Sequence, residues 1–331
     1  MREPVGCFLY PAKGEWPCPH PCHKAWAMGV CKYIKETPKG VGRMKEDIPD
    51  GCDFIIMESL YSLPYAVRYK RMHPWCKVIS IIADTSFLPQ RLTVLRWAYY
   101  WYAGLSGVDA FICESNRIAK DCYNYMNNGS FMRPIYLMRP FMAVEHKVKP
   151  GKKFGKGMLF VGGRQKEKRM DAAINAMEYL PGDFYLGLIG SCCEYLPKLM
   201  ATHDGFIRVL SLGRVPSLKK YFDDATYYIH PADFDSCPTA VWEAMYAGLI
   251  PIVTADVGNS EVFDGVLKRL VLDDNHPKTI AAKVLEIDAL SLNTKKAIRR
   301  ECIRVASVYM KSKSVSEFKA LFNKIWVGMD G

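Results

Sequence analysis

The sequence has little that would place it in a membrane or on the secretory route. Its most apolar stretch, residues 94–113, is interrupted by Arg96 and Asp109, so only the twelve residues 97–108 are continuously uncharged. A membrane-spanning helix needs about twenty predominantly apolar residues, and we therefore expect no transmembrane segment. The N-terminus has no apolar run behind a basic start, which predicts no signal peptide. Both absences indicate a cytoplasmic protein.

Internal repeats, low-complexity blocks and the Cys-x2-Cys pairs of common zinc sites are also absent. With no secretion signal, the twelve cysteines are expected to be buried thiols rather than disulfides. One short segment still offers thiol and imidazole groups that could bind a structural zinc ion: Cys18, His20, Cys22, His23 and Cys31. Because no second cluster accompanies them, we interpret them as ordinary loop residues and predict no metal site.

The chain has an excess of positive charge. Forty-five Lys and Arg against thirty-four Asp and Glu give a formal charge of +11. This surplus suits an anionic partner, such as a nucleoside diphosphate, an anionic membrane surface or a nucleic acid, although a solubilising surface explains the same charge. No recognised nucleic-acid-binding motif is present, so we predict no nucleic-acid partner.

Short apolar runs alternate with helix-length segments along the chain. Strands are predicted at residues 5–10, 54–57, 78–83, 110–114, 158–161, 185–189, 227–230 and 250–254. Helices are predicted at residues 63–72, 88–105, 170–179 and 239–246. This alternation predicts an α/β protein with parallel sheets.

A domain boundary is predicted in the basic, Pro- and Gly-containing segment 148–156. We therefore expect one domain over residues 1–150 and a second over 151–331. The last helix, around 318–326, is expected to cross back to the first domain.

Two strand-to-helix turns in the second half carry the recognisable chemistry. Gly162 and Gly163 follow a predicted strand and precede Arg164 and Lys168. Glycines allow the backbone to approach a ligand closely, and a helix N-terminus with nearby cations favours a diphosphate. A solvated charged turn would have the same residues.

The second turn contains two carboxylates eight positions apart, Asp235 and Glu243. Pro238 is predicted to be the first residue of the following helix, so that Thr239 and its neighbours present free N–H groups. Backbone donors and carboxylates together suit the anionic and hydroxyl oxygens of a sugar nucleotide. Helix capping by Asp235 is the structural alternative.

These turns resemble the donor-site signature of the family-4 retaining glycosyltransferases, also called glycosyl transferases group 1. The family pattern is matched by five elements in order: Val161, Gly162, Lys168 and Asp171; Ile189 and Gly190; Leu212, Gly213 and Arg214; Glu243, Ala244, Gly248 and Pro251; and Asp256, Val257, Gly258 and Glu261. The resemblance implies the GT-B fold, in which two Rossmann-like α/β/α domains face each other across a cleft.

The resemblance also implies roles for the matched positions. Lys168 and Arg164 would hold the donor diphosphate, Glu243 the ribose hydroxyls, and Asp235 the transferred sugar. The donor site would be completed by Gly162, Gly163, Ser236, Cys237, Pro238, Thr239 and, near the base, Arg214. Such enzymes use a nucleotide-diphosphate sugar, UDP- or GDP-linked, as substrate. They generally need no metal or other cofactor, because fixed cations stabilise the leaving diphosphate.

Three departures from the family pattern leave the donor base and sugar open. Asp235 stands where the family has Glu, Ser236 and Cys237 stand where it has glycines, and Arg169 replaces the glycine after the phosphate lysine. In the N-terminal half, Gly14 lies where the family often has a loop near the donor phosphate. Asp84 could face the reaction centre, or it could cap the next helix.

The acceptor is indicated only by general features. The aromatic run 99–102, with Arg91 and Arg96 before it, suits either a buried helix or contact with an anionic membrane surface. We therefore expect a hexosyltransferase acting on a glycan, glycolipid or lipid-linked hydroxyl acceptor with retention of configuration. The alternatives are a catalytically silent sugar-nucleotide-binding module and a GT-B phosphorylase or epimerase.

Overall fold

The computed structural model of the chain divides into two compact units. The first contains Met1–Phe141 and Lys311–Gly331, and the second contains Met142–Met310. The residues that the structure describes are 2–12, 19–38, 43–84, 107–126, 133–195 and 208–329. Gly14, Cys18, the predicted helix at 88–105 and the aromatic run 99–102 lie outside these ranges.

The first unit contains a six-stranded parallel sheet. Its strands are β1 (Gly6–Pro11), β2 (Tyr33–Thr37), β3 (Phe54–Met57), β4 (Lys77–Ile82), β5 (Ala110–Cys113) and β6 (Ile135–Leu137). Its first helices are α1 (Pro21–Met28), α2 (Leu63–Met72) and α3 (Asn116–Met126). The strand order is β2-β1-β3-β4-β5-β6. The central strands read as continuous apolar runs because helices cover both faces of such a sheet.

The second unit contains another six-stranded parallel sheet. Its strands are β7 (Gly157–Val161), β8 (Tyr185–Ile189), β9 (Val209–Gly213), β10 (Tyr227–His230), β11 (Ile250–Thr254) and β12 (Val271–Leu272). Its helices are α4 (Met170–Asn175), α5 (Lys219–Asp224), α6 (Thr239–Tyr246), α7 (Pro277–Asp288) and α8 (Leu292–Ala306). The order β12-β11-β10-β7-β8-β9 is that of a Rossmann fold. The predicted fold class is confirmed by the two sheets.

The last helix, α9 (Lys311–Met329), packs within the first unit. Its Phe318 ring stacks on Trp26 of α1 at a centroid distance of 5.3 Å, and Phe322 lies 4.5 Å from the ring of Phe54. Ser314 accepts a 2.9 Å hydrogen bond from the Trp26 indole N–H. Aromatic residues four positions apart lie on one face of a helix, which is the face that is buried here. Among the described helices, none has the length and apolarity to cross a bilayer.

The chain enters the second unit earlier than the basic segment 148–156 suggested. The N–H of Met142 donates to the carbonyl of Tyr309 at 3.0 Å, and the N–H groups of Ala143 and Val144 donate to Glu243. Residues 142–150 therefore belong with the second unit by their hydrogen bonds. The predicted boundary in the segment 148–156 rested on composition alone. The backbone contacts instead assign residues 142–150 to the second unit.

Candidate functional site

The loops that follow β7 and β8 are packed backbone to backbone. The N–H of Gly162 donates to the carbonyl of Ile189 at 3.0 Å, and the carbonyl of Gly162 accepts from Cys192 at 3.3 Å. A Cβ at Gly190 would lie 2.2 Å from that carbonyl oxygen, and Gly190 has φ +113°. Only glycine fits there, so the position of the Gly162–Gly163 turn depends on Gly190.

Lys168 lies in a single 3-10 turn after these glycines and contacts the second loop. Its Nζ is 2.9 Å from Oδ2 of Asp235, and the two side chains are 18% and 13% exposed. The Nε2 of His230 is also 2.9 Å from Oδ2 of Asp235. The structure thus brings together the cation and the carboxylate that were predicted to bind the diphosphate and the transferred sugar.

The protonation of this cluster follows from its contacts. Burial would raise the pKa of Asp235, but the charge of Lys168 and the His230 hydrogen bond hold it well below its usual range. Burial lowers the pKa of His230 and outweighs the opposing effect of Asp235. His230 is therefore neutral, with Nε2–H donating to an ionised Asp235. Its ring lies between those of Phe160 and Tyr228, at 6.0 and 6.1 Å.

Arg169, which stands where the family has glycine, has a left-handed backbone with φ 52° and ψ 45°. This conformation costs a non-glycine residue roughly 1–2 kcal/mol. The guanidinium is held by Asp171 at 3.3 Å, and by Asp233 and Asn275 at 3.1 Å each. The N–H of Asp233 also donates to the carbonyl of Glu167 at 2.7 Å. These contacts connect the loop after β7 to the loop after β10 and offset part of the cost of the left-handed backbone.

The loop after β10 is aligned with the loop after β11. The N–H of Asp235 donates to Asp256 at 3.2 Å, and its carbonyl accepts from Gly258 at 2.9 Å. The amide of Asn259 donates to the carbonyl of Pro238 at 3.3 Å. The segment that contains Asp235 is therefore fixed on both sides, at the carboxyl edge of the sheet where α/β proteins bind ligands.

Helix α6 begins at Thr239, as the predicted range 239–246 has it, so that Pro238 is the residue before the helix rather than its first residue. Pro238 precedes the helix with φ −62° and ψ 121°. The consequence for the N–H groups is the same, because the first turn of any helix has donors without intrahelical acceptors. Ser236 and Cys237 are buried, at 6% and 3% exposure, so the loop before the helix presents mainly its backbone.

Glu243 is directed into the unit rather than toward the surface. Its Oε1 accepts hydrogen bonds from the N–H groups of Ala143 at 3.1 Å and Val144 at 3.4 Å. Burial raises the pKa of its carboxyl group to about 7, although the two N–H donors lower it. One carboxylate oxygen thus holds the entry segment of the unit. The predicted role of Glu243 in ribose binding stays a prediction.

The remaining predicted site residues are more dispersed. Arg164 forms an ion pair with Glu194, which follows β8. Arg214 is exposed and follows Gly213 at the end of β9. Asp84 is exposed after β4 in the first unit. Gly14 lies outside the described residues.

Three of the residues considered for zinc, His20, Cys22 and His23, have other contacts. Cys22 donates its thiol to the carbonyl of Phe141 at 3.1 Å, and Nδ1 of His20 accepts from the Cys22 N–H at 3.4 Å. His23 lies between two glutamates. Across the described ranges, no three His, Cys, Asp or Glu side chains are arranged to hold a metal ion.

Sequence reasoning missed His230, the Arg169 contacts and Asn259. His230 was visible as a histidine ending the strand five residues before Asp235, but its role depends on how the loop turns back. The Arg169 contacts involve Asp233 and Asn275, which come from loops far apart in the sequence. Such pairings are set by the order of strands in the sheet.

Solved structures with the same architecture are glycosyltransferases of the GT-B fold. The chain superposes on Anabaena HepE in complex with UDP-glucose with a TM-score of 0.79 and 11% identity, covering 97% of this chain and 100% of HepE. Sucrose-phosphate synthase from Thermosynechococcus elongatus gives a TM-score of 0.74 and 13% identity, covering 99% and 100%. A glycosyltransferase from Rickettsia africae gives 0.72 and 11%, covering 98% and 99%. The chain therefore has the GT-B fold.

The family comparison concerns the second unit. Residues 144–301 match the family model described as Glycosyl transferases group 1. The match lies within the second unit, and the resemblance to glycosyl transferases group 1 that was predicted from the loop motifs is confirmed. A comparison with curated protein sequences gave no match.

Proposed function

We propose that the chain transfers a hexose-type sugar from a nucleoside diphosphate to a hydroxyl acceptor, with retention of anomeric configuration. The observation that carries this proposal is the Lys168–Asp235 pair at the carboxyl edge of a Rossmann-ordered sheet, inside a unit of the group 1 family. UDP is the first nucleotide to test because HepE has been solved with UDP-glucose and with UDP. GDP is the second.

Lys168 is suited to the leaving diphosphate. An ammonium group has three donors, so Lys168 can keep its contact with Asp235 and still donate to a phosphate oxygen. As the bond from the anomeric carbon to the diphosphate breaks, negative charge grows on that oxygen. A cation already fixed by Asp235 stabilises this charge without reorganising, and it therefore lowers the barrier.

Asp235 and the start of α6 would hold the sugar. Both contacts of the Asp235 carboxylate fall on Oδ2, which leaves Oδ1 for a hydroxyl of the transferred sugar. The first N–H groups of α6, from Thr239 onward, are donors for hydroxyl or phosphate oxygens. For retention, the acceptor hydroxyl attacks from the face that the diphosphate leaves.

The charge on the diphosphate can be balanced by fixed side chains. Lys168 and Arg164 are on the loop after β7, and the N-terminus of α6 adds a partial positive charge. We therefore propose that transfer is metal-independent. A cytoplasmic enzyme working beside an anionic membrane fits the +11 charge. Sedimentation with anionic and neutral vesicles at low salt tests this, and failure to bind the anionic vesicles would refute it.

The central experiment compares binding with turnover. Thermal shifts and calorimetry with UDP, UDP-glucose, GDP and GDP-mannose identify the base, because a ligand of the native state raises its stability. Purified enzyme with the best donor and a sugar acceptor should then release nucleoside diphosphate and form a glycoside of unchanged anomeric configuration. Binding without transfer or hydrolysis would instead indicate a silent sugar-nucleotide-binding module. No binding of any of the four would refute the proposed function.

A further inference from the structure

The first unit contains a buried group of three ionisable side chains that the donor chemistry does not use. Nε2 of His23 is 2.9 Å from Oε1 of Glu114, and Nδ1 of His23 is 3.3 Å from Oε1 of Glu58. The three residues are between 2% and 9% exposed. We call them the His23 cluster.

The His23 cluster lies at the edge of the sheet where ligands bind in parallel α/β folds. Glu58 directly follows β3 and Glu114 directly follows β5, so both are at the carboxyl ends of their strands. His23 is in α1, which follows β1. In the order β2-β1-β3-β4-β5-β6, the chain changes direction between β1 and β3. Ligands in open α/β sheets bind outside the carboxyl ends of the strands at such a switch point.

One atom of the cluster has an unmet hydrogen-bonding requirement. Oε1 of Glu58 accepts from the backbone N–H of His20 at 2.6 Å and faces His23. Oε2 of Glu58 is buried and has no hydrogen-bond partner within the described part of the chain. A carboxylate oxygen in this position is costly, so a donor group is expected to bind it.

The protonation of the histidines near Glu58 limits which ligand groups can bind there. Burial alone would lower the pKa of His23, but its hydrogen bond to Glu114 and the charges of both glutamates raise it to about 9. His20, in contrast, is neutral because burial and the charge of His23 lower its pKa to about 3. Oε2 of Glu58 can only accept a hydrogen bond from a donor, so it fits a hydroxyl or ammonium group and not an ionised phosphate.

A purely structural role explains these residues less well. Buried ion pairs contribute little net stability compared with well-packed apolar side chains, because removing charges from water is costly. The neighbouring core of the unit is apolar and aromatic, with Trp26 of α1 packed against Phe141. Groups of buried ionisable side chains at a ligand-binding edge are more typical of functional sites.

We propose that His23, Glu58 and Glu114 form an acceptor-binding site, in which Oε2 of Glu58 accepts a hydrogen bond from a hydroxyl or ammonium group of a sugar. This proposal rests on the proposed transferase function, which requires an acceptor. Its residues are all in the first unit, whereas Lys168 and Asp235 are in the second. The two proposals can therefore be tested separately.

The test uses the full chain, Glu58→Gln and the control Glu46→Gln. Glutamine keeps the shape of Glu58 but can leave an amide NH2 where the accepting oxygen was. Glu46 is 71% exposed on the surface of the same unit and pairs with Lys35. The probes are glucose, glucosamine and glucose 6-phosphate, measured by saturation-transfer NMR, with UDP calorimetry as an independent measure of the second unit.

We expect glucose or glucosamine to bind the wild-type chain and the Glu46→Gln variant, and to bind Glu58→Gln about 10- to 100-fold more weakly. Glucosamine binding more tightly than glucose would identify an ammonium partner, and equal binding a hydroxyl partner. Glucose 6-phosphate should not bind more tightly than glucose. UDP affinity should be the same in all three proteins.

A measurement on the wild-type chain guards against misfolding of the variant. The ring signals of His23 should shift when the binding sugar is added, because the ligand contacts Glu58 beside it. Equal sugar affinity in wild type and Glu58→Gln, or no affinity for either sugar, would overturn the acceptor site. Absence of binding of UDP, UDP-glucose, GDP and GDP-mannose to the wild type, with sugar binding as expected, would refute the donor proposal alone.

Discussion

Replacing Lys168 by alanine removes the ammonium group that lies 2.9 Å from Asp235. If Lys168 stabilises the leaving diphosphate, turnover should fall about 10²–10³-fold, the usual effect of removing one preorganised electrostatic contact. The dissociation constant of UDP should rise less, because charge on the diphosphate is greatest in the transition state. Steady-state transfer rates and UDP calorimetry give the two quantities.

The same substitution also affects stability, and this must be separated from catalysis. Asp235 would stay largely buried with only His230 as its partner, which costs about 1–3 kcal/mol. For a unit of this size, each kcal/mol lowers Tm by about 2–4 °C. Adding Asp235→Asn should restore most of that loss, because a neutral amide can still accept from His230.

The double variant is therefore expected to be stable but slow. If it regained wild-type turnover, Lys168 would serve only to neutralise Asp235, and the diphosphate assignment would be refuted. Lys166→Ala is the matched control, since Lys166 is an exposed cation in the same 3-10 turn. It should retain both turnover and stability. A near-wild-type rate for Lys168→Ala would contradict the reasoning directly.

Three further predictions concern charge, backbone strain and metal. Because burial raises the pKa of Glu243 from 4.5 to about 7, the folded chain binds the proton more tightly, and the free energy of unfolding should fall as pH rises between these values. Glu243→Gln should flatten that slope in denaturant titrations and weaken UDP binding about tenfold or more; an unchanged UDP affinity would remove Glu243 from the site. Arg169→Ala keeps the left-handed backbone strain that Arg169→Gly relieves. The free energy of unfolding of the alanine variant should therefore be about 1 kcal/mol lower than that of the glycine variant. Equal melting temperatures would count against that strain. EDTA should leave transfer unchanged, and loss restored by Mg²⁺ or Mn²⁺ would contradict a metal-independent mechanism.

Four of the six strands of the second unit and the helix α6 were predicted from its sequence, whereas β9, β12 and the helices α5, α7 and α8 were not. The strands β8, β10 and β11 and the helix α6 have the predicted bounds, because each is a short apolar run ended by glycine, proline or a charged loop. The loops that follow β7 and β10 are also expected at the same edge of the sheet, since the carboxyl ends of parallel strands lie together there. Hydrophobic periodicity and turn residues lie close together in the chain, so a single sequence is enough to predict the elements that depend on them.

The contacts of individual side chains could not be predicted in the same way. That Glu243 accepts hydrogen bonds from Ala143 and Val144 depends on where the chain enters the unit, a hundred residues earlier. The His23 cluster likewise requires the residues that follow β3 and β5 to meet the same side chain of α1. In the sequence, His23 belonged to a group of possible metal ligands, and nothing there indicated two glutamates as its partners.

The departures from the family pattern are connected by these contacts. Asp235 is one methylene shorter than the family glutamate, and it is anchored by His230 on one side and Lys168 on the other. Arg169 adopts the backbone conformation that glycine usually supplies, and its guanidinium binds acids on the loop of Asp233. Both residues form charged contacts between the loops after β7 and β10, and Arg169 does so at a position where the family has the backbone freedom of glycine. The loops after β7 and β10 are therefore positioned before a ligand binds. For the proposed donor site this predicts a smaller ordering cost of binding, with Lys168 already fixed where the diphosphate is proposed to bind.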